Sequence, residues 1–350
     1  MTAMAMGPRD DELTGGATPV PHALSVEHLK AYYRTSHFGV SRDVRAVDDV
    51  SFAVGAGEIY GLAGESSSGK TTLIKSIAGV VRPPLQIIGG TIRFGFMPAF
   101  GGLHLAPASE IQRIRWRHLS YIMQGSMSVL NPLRRIKETF SDFAFGHMGL
   151  GRHAFTAAVE AHLGRVSLEP SILSAYPHEL SGGMRQRVTI ALATICRPEF
   201  IIADEPTTAL DVIVQKEVLD MLRAVQREIG SSLLFVTHDM GVHAHLTDRL
   251  GIMYAGRLVE EGKTRDIFLR PRHPYTRHLV ASLPRIGDDA ERQGLAGNPP
   301  NLAEPPSGCR FHPRCPLAMD VCRKEVPPMA ADAKGNRVAC FAVDAAGAGP

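Results

Sequence analysis

The 350-residue chain has no apolar run approaching the roughly 20 residues that a bilayer-spanning helix needs. Its longest, Val188 to Cys196, falls well short, and the least charged stretch, Phe94 to Ser109, is broken by glycine and proline. An excess of one charge is missing as well. Thirty-eight Lys and Arg stand against 35 Asp and Glu, a formal balance of +3 with no long one-signed block, which excludes a chain that coats nucleic acid by charge. The opening MTAMAMGPRDDELTGGATPVPH has neither the basic start nor the apolar centre of a secretory signal, so residues 1–23 are expected to form a disordered leader. Cysteine is scarce: with five in the chain and no export signal, disulfides are not expected.

What is present alternates between strand and helix patterns. Residues 24–62 read as strands through Leu24-Val26, Ala46-Val47 and Val50-Phe52-Val54, ending on Ile59 to Leu62, which leads into a Gly/Ser-rich turn. Lys70 to Val80 has helical spacing. Short strands follow at Gly90 to Phe94 and Leu119 to Met123, with helices near 109–117 and 135–148. Residues 153–197 read as helical with breaks at Pro170 and Pro177. Then come a strand at Phe200 to Ala203, a long helix from Val212 to Ile229, and strands at Ser232 to Thr237 and Leu250 to Tyr254. That order predicts an α/β fold with a mostly parallel sheet covered on both faces. Past about residue 265 the prolines (Pro271, Pro274, Pro284, Pro299, Pro305, Pro313, Pro316, Pro327) exclude long helices and central strands. This loop-rich extension is expected to need a staple to stay folded.

Three segments carry chemistry. Gly64-Glu65-Ser66-Ser67-Ser68-Gly69-Lys70-Thr71 fits G-x-x-x-x-G-K-[ST] between a strand and a helix. Successive backbone N–H groups there form an anion nest at a helix start, Lys70 adds charge at the β and γ phosphates, and the Thr71 hydroxyl is placed to ligate Mg²⁺, with Thr72 beside it. The apolar strand Phe200 to Ala203 ends in Asp204 and Glu205. At the carboxyl end of a parallel strand the first is placed to hold Mg²⁺ and the second to polarise water as a general base. Third, Leu180-Ser181-Gly182-Gly183-Met184 opens a helix, a second anion-binding start without a lysine.

With these in order, the chain resembles the ATP-binding cassette (ABC) family over roughly residues 24–345. The resemblance implies a P-loop NTPase cassette: a RecA-like core sheet, an antiparallel β subdomain and a helical subdomain, spanning residues 24–265. It also assigns roles: Tyr33 stacks on adenine, Gln124 senses the γ-phosphate and Mg²⁺ and faces a membrane partner, Ala209-Leu210-Asp211 communicates across a dimer, and His238 contacts the γ-phosphate. Tyr176-Pro177-His178-Glu179 matches the segment coupled to transmembrane subunits. It implies ATP hydrolysis in a head-to-tail pair, with Ser181 and Gly183 meeting a nucleotide held by the other subunit. The sequence departs from the family at Ser67, commonly Gly, at Met184, more generally Gln, and at Gly125, commonly acidic.

His273-Pro274-Tyr275-Thr276, Gly297-Asn298-Pro299-Pro300-Asn301 and the segment Gly308 to Pro316 are similar to the C-terminal region (266–345, before a frayed 346–350) of oligopeptide and dipeptide importer ATPases. Relatives with that tail also serve nickel and oligosaccharide uptake. This similarity implies a peripheral subunit on the cytoplasmic face of the inner membrane. Its partners would be a second ATPase subunit (a copy or a paralogue), two transmembrane permeases and an extracytoplasmic solute-binding protein, with no nucleic acid. Two other classes compete: a soluble relative acting on nucleic acid or ribosomes, which would carry coiled-coil insertions or two cassettes, and a P-loop kinase, which would lack the Ser181–Met184 segment. In the tail, Cys309, Cys315, Cys322 and Cys340 have the donor chemistry for zinc or an iron–sulfur cluster, and the resemblance favours 4Fe–4S over Zn²⁺. Cys196, alone in an apolar run, reads as a packing residue.

Overall fold

The computed structural model describes residues 22–37, 40–97, 103, 106–123, 125, 129–208, 210–283 and 295–343. Gln124, Ala209, the leader up to residue 21, the tail beyond 343 and part of the stretch 94–109 lie outside the described residues. In chain order the strands are β1 (Leu24–His37), β2 (Val40–Val54), β3 (Ile59–Ala63), β4 (Leu85–Phe94), β5 (Leu119–Ile122), β6 (Phe200–Asp204), β7 (Ser232–Val236), β8 (Arg249–Tyr254), β9 (Arg257–Lys263), β10 (Ala330–Ala331) and β11 (Arg337–Val338). The helices are α1 (Lys70–Ile77), α2 (Ala108–Ile114), α3 (Ile136–Phe140), α4 (Gly146–Met148), α5 (Arg152–Arg165), α6 (Gly182–Thr194), α7 (Val212–Ile229), α8 (Met240–Leu246), α9 (Thr264–Leu269), α10 (Pro274–Ala281) and α11 (Asp320–Lys324).

The chain divides into two compact units. One comprises Met1–Leu24, Val54–Glu58 and Arg93–Leu234 and holds most of the helices. In this helical unit β5 and β6 run parallel, with Leu119 opposite Phe200 and Ile122 opposite Ala203. Every residue of β6 is buried, as its unbroken apolar run requires of a strand covered on both faces. The breaks expected at Pro170 and Pro177 are short 3-10 turns, Pro170–Ser174 and Pro177–Glu179, each with proline in the first turn, where its missing N–H costs nothing.

The other unit comprises Ser25–Ala53, Ile59–Ile92 and Phe235–Pro350 and carries the phosphate loop. Its part of the main sheet is ordered β10-β11-β9-β8-β3. β3 pairs parallel with β8, whereas β9, β11 and β10 continue antiparallel. A three-stranded sheet, β2-β1-β4, lies mostly in the same unit.

The Pro-rich extension folds by joining this unit. Phe311 and Tyr275, 1% and 0% exposed, enter a core cluster with Leu250, Ile252, Tyr254, Val259 and Ile267, and Cys309 and Cys315 pack against it. Arg310, 6% exposed, donates to the Asp48 carboxylate and the Ala255 carbonyl. Two residues of β11 pair with β9. A buried aromatic cluster and a buried ion pair therefore hold a segment for which the sequence suggested only a metal staple.

Candidate nucleotide site

In the phosphate-loop unit, β3 delivers the chain into a loop that glycine alone fits at two points. Gly64 has φ +149 and Gly69 φ +103. A Cβ on the first would lie 2.1 Å from the Met253 carbonyl oxygen, and on the second 2.0 Å from that of Ala46. Ser67 also takes the left-handed region, at φ +65, with a side chain attached. Ser66, Ser67 and Thr71 are exposed, whereas Ser68 and Lys70 are buried to 3% and 8%. The Lys70 ammonium donates to the carbonyls of Gly64 (2.6 Å) and Glu65 (2.9 Å) and to Ser68 Oγ (3.2 Å). It is thus anchored inside the loop, with its charge at the start of α1, where the helix dipole adds to it. Tyr33 shares a hydrogen bond with the buried Thr72 hydroxyl at 3.1 Å, which fixes the ring beside the first turn of α1.

His238 follows β7 and is exposed. The residue that sets its backbone is one the sequence did not mark: His243, fully buried on α8, holds the Thr237 carbonyl at 3.2 Å through Nε2. Burial pushes the His243 pKa down to about 4, so the ring is neutral and donates. Asp239 caps α8, accepting from the Gly241 and Val242 amides at 2.8 and 3.3 Å.

In the helical unit, Asp204 ends β6 and is 4% exposed. Tyr121 on β5 donates to its Oδ2 at 3.2 Å, and burial beside that carboxylate pushes the tyrosine pKa upward, keeping it a donor. Glu205 turns away from the strand at φ +47, a conformation that non-glycine residues avoid, and Thr208 Oγ1 donates to its carboxylate at 3.1 Å. Ser181 caps α6, its hydroxyl accepting from the Met184 amide at 3.3 Å. Gly183 sits against α7, where a Cβ would meet Val214 Cγ1 at 2.8 Å. Asp211 caps α7 through the Ile213 and Val214 amides at 3.1 and 3.0 Å. Tyr121, Thr208 and His243 brace these positions without any motif to announce them.

The four tail cysteines share the phosphate-loop unit. Burial raises the Cys309 thiol pKa to about 11, and negative charge on Cys322, Cys340 and Cys315 adds to that rise. Cys315 and Cys340 are raised for the same reasons. The thiols are close enough to influence one another, yet among the described residues no three His, Cys, Asp or Glu side chains form a metal-ligand group. The four-cysteine ligand set expected from the sequence is not assembled in this structure. Cys196 is 4% exposed, with its pKa raised to about 11 by burial, as a packing residue should be.

Comparison with known proteins agrees with the motifs. Residues 47–208 match the ABC transporter family, and residues 259–322 match the oligopeptide/dipeptide transporter C-terminal region. The chain is 39% identical over 334 residues to the oligopeptide transport ATP-binding protein OppD of Salmonella typhimurium, covering 94% of this chain and 96% of that one. It is 43% identical over 319 residues to a putative peptide import ATP-binding protein of Brucella abortus, covering 88% and 93%. Among solved structures it is similar to cbiO1 of Clostridium perfringens (TM-score 0.59, 23% identity, 71% of this chain and 91% of that one). It is also similar to the ATP-binding cassette MJ0796 bound to ADP and Pi (TM-score 0.59, 24% identity, 69% and 99%). These two show the shared cassette fold. Among the described residues no helix is long and apolar enough to cross a membrane. The chain belongs to the ABC transporter family, as an ATPase of its oligopeptide and dipeptide transporter group.

Proposed function

We propose that this chain hydrolyses ATP to drive uptake of peptides through separate membrane subunits. The observation that carries the reading is its near-full-length likeness to OppD, extension included. In the reaction, the amides of Gly64 to Gly69 and the start of α1 hold the β and γ phosphates, Lys70 supplies charge, and Tyr33 stacks on the adenine. Thr71, Asp204 and Gln124 would hold Mg²⁺, which would neutralise phosphate charge. Glu205 orients and polarises the attacking water, with the carboxylate steadied by Thr208. His238 meets the γ-phosphate. Ser181 and Gly183 reach a nucleotide held by a second ATPase subunit, and Asp211 sits at that junction.

The pair works on the cytoplasmic face of the inner membrane against two permeases fed by an extracytoplasmic solute-binding protein. Glu205→Gln should retain ATP binding and lose turnover by about 10² to 10⁴, the usual share of a general base. Unchanged hydrolysis would remove Glu205 from the mechanism. Peptide uptake by vesicles carrying the permeases with the wild-type chain, absent with the variant, tests the coupling.

The four thiols are proposed as ligands of a 4Fe–4S cluster, with Zn²⁺ as the alternative. Their support is chemical type and the packing of Cys309 and Cys315 against one core cluster. As the thiols stand they make no ligand set, so binding would draw them together and release their protons. Metal loading should therefore rise with pH. Protein purified without oxygen that contains neither iron with labile sulfide nor zinc would overturn this assignment.

A further inference from the structure

The cysteine-bearing extension takes hold of the phosphate loop itself, at one residue. Arg314, immediately before Cys315, donates from Nη1 to Glu65 Oε2 at 2.9 Å and from Nη2 to Glu65 Oε1 at 3.3 Å. Both carboxylate oxygens are taken in a planar fork, with the arginine side chain 7% exposed. Three further contacts fix the fork: Nη1 donates to the Tyr254 hydroxyl at 3.3 Å, Nε to the Ala296 carbonyl at 3.0 Å, and Nη2 to the Leu295 carbonyl at 3.5 Å. A second attachment lies on the backbone of the same glutamate, whose N–H donates to the Tyr275 hydroxyl at 2.8 Å. The remaining group, the Glu65 carbonyl, accepts from Lys70 Nζ at 2.9 Å. Glu65 is therefore held on two sides by the extension and on the third by the phosphate-binding lysine.

These holds connect to the thiols through packed rings. Tyr254 lies 4.7 Å from Tyr275 and 5.1 Å from Phe311, ring centre to centre, in the cluster against which Cys309 and Cys315 pack. We infer that Arg314 and Tyr275 are positioning residues which set the phosphate loop's grip on nucleotide through Glu65, so that the cysteine-bearing extension tunes nucleotide affinity. The inference rests on the phosphate-loop reading of Gly64 to Thr71. Two physical effects produce the grip. A loop already fixed at Glu65 loses less freedom when its amides close on phosphate. A carboxylate inside a phosphate-binding loop repels the ligand unless its charge is cancelled, and the Arg314 fork cancels it.

The second effect makes a signature that a merely structural role would not leave. In the purified full chain titrated with the fluorescent nucleotide mant-ADP and Mg²⁺, Arg314→Gln should weaken binding about tenfold, within the range of coupled neighbours. Glu65→Gln should cost much less. The double variant should recover most of the loss, because removing the repelling charge substitutes for cancelling it. Arg314→Lys should be intermediate, keeping charge without the fork, and Tyr275→Phe should weaken binding while leaving the ring packed. With ATP, Arg314→Gln should raise KM and spare kcat. Wild-type affinity in Arg314→Gln, or losses in the double variant equal to the product of the singles, would overturn the proposal. Should Arg314→Gln fail to fold, Arg314→Lys with and without Glu65→Gln decides the same question. Lys70→Ala separates the layers: if it binds mant-ADP like the wild type, the phosphate-loop reading falls. If it fails while Arg314→Gln binds normally, the Arg314 proposal alone falls.

Discussion

Ser67 shows what single residues add to a motif. The spacing of Gly64, Gly69, Lys70 and Thr71 was legible because it repeats a backbone requirement, and both glycines stand where a Cβ would strike a carbonyl oxygen. The departure at Ser67 was legible only as an unusual residue. The structure gives its physical cost, a left-handed backbone at φ +65 that holds a side chain at about 1–2 kcal/mol above glycine's ease. Glycine's greater unfolded freedom offsets about 0.5–1 kcal/mol of that. Ser67→Gly should therefore leave stability unchanged or raise it by up to about 1.5 kcal/mol, read by denaturant unfolding, without weakening nucleotide binding. Gly64→Ala should instead lose binding. A clear loss of stability in Ser67→Gly would show that the serine hydroxyl supports the loop. Glu205, at φ +47, could not be recognised as strained from its sequence context at all. Nor could Arg314, whose partner Glu65 lies in a distant part of the chain.

At the scale of elements, the sequence showed helices and strands wherever one face repeats: α7, with Val218, Leu222 and Val225 buried, and β6, buried throughout. It also marked Ser181 as a helix start. It gave no sign that α6 and α7 approach so closely, because that depends on two side chains meeting across elements. Gly183 permits the approach, and a methyl there would lie 2.8 Å from Val214 Cγ1. Gly183→Ala should cost about 1–3 kcal/mol of stability, the usual penalty of overpacking. Val214→Ala in the same chain should restore most of it, since the clash is with a side-chain tip rather than backbone. Unfolding midpoints of the two singles and the double test this, and additive losses would place the strain elsewhere. The extension was the element least legible from sequence. Its prolines announced loops correctly, but Tyr275, Phe311 and Arg310 reach into a core built by β8 and β9, and such nonlocal burial leaves no periodic trace.

Across the whole molecule, the near-even formal charge hides a titration that the fold creates. Among the described residues three histidines are enclosed without charge: His162 in the helical unit, and His243 and His273 in the phosphate-loop unit, 2%, 0% and 1% exposed. Burial lowers their pKa values from 6.5 to about 4, about 4 and about 3, with Arg165 adding to the fall at His162 and Arg277 at His273. Between pH 6.5 and those values the unfolded chain binds protons that the folded chain refuses, so stability falls as pH drops through this window. Each histidine should cost about 2 kcal/mol by pH 5 relative to pH 7, in both units. His273 offers a clean test because its Nδ1 only caps α10, accepting the Tyr275 N–H at 3.1 Å. Asparagine can make the same cap without titrating. His273→Asn should flatten the fall in denaturant stability between pH 7 and pH 5 by about a third, whatever its effect at pH 7. If wild type and variant lose stability equally over that interval, His273 is not excluding a proton. The acid sensitivity over that interval would then come from the other two histidines, because Asp48, held below its ordinary range by its Tyr32 hydrogen bond and by Arg310, effects that outweigh its burial, gives up its contribution only as pH falls below the unfolded value of 3.8.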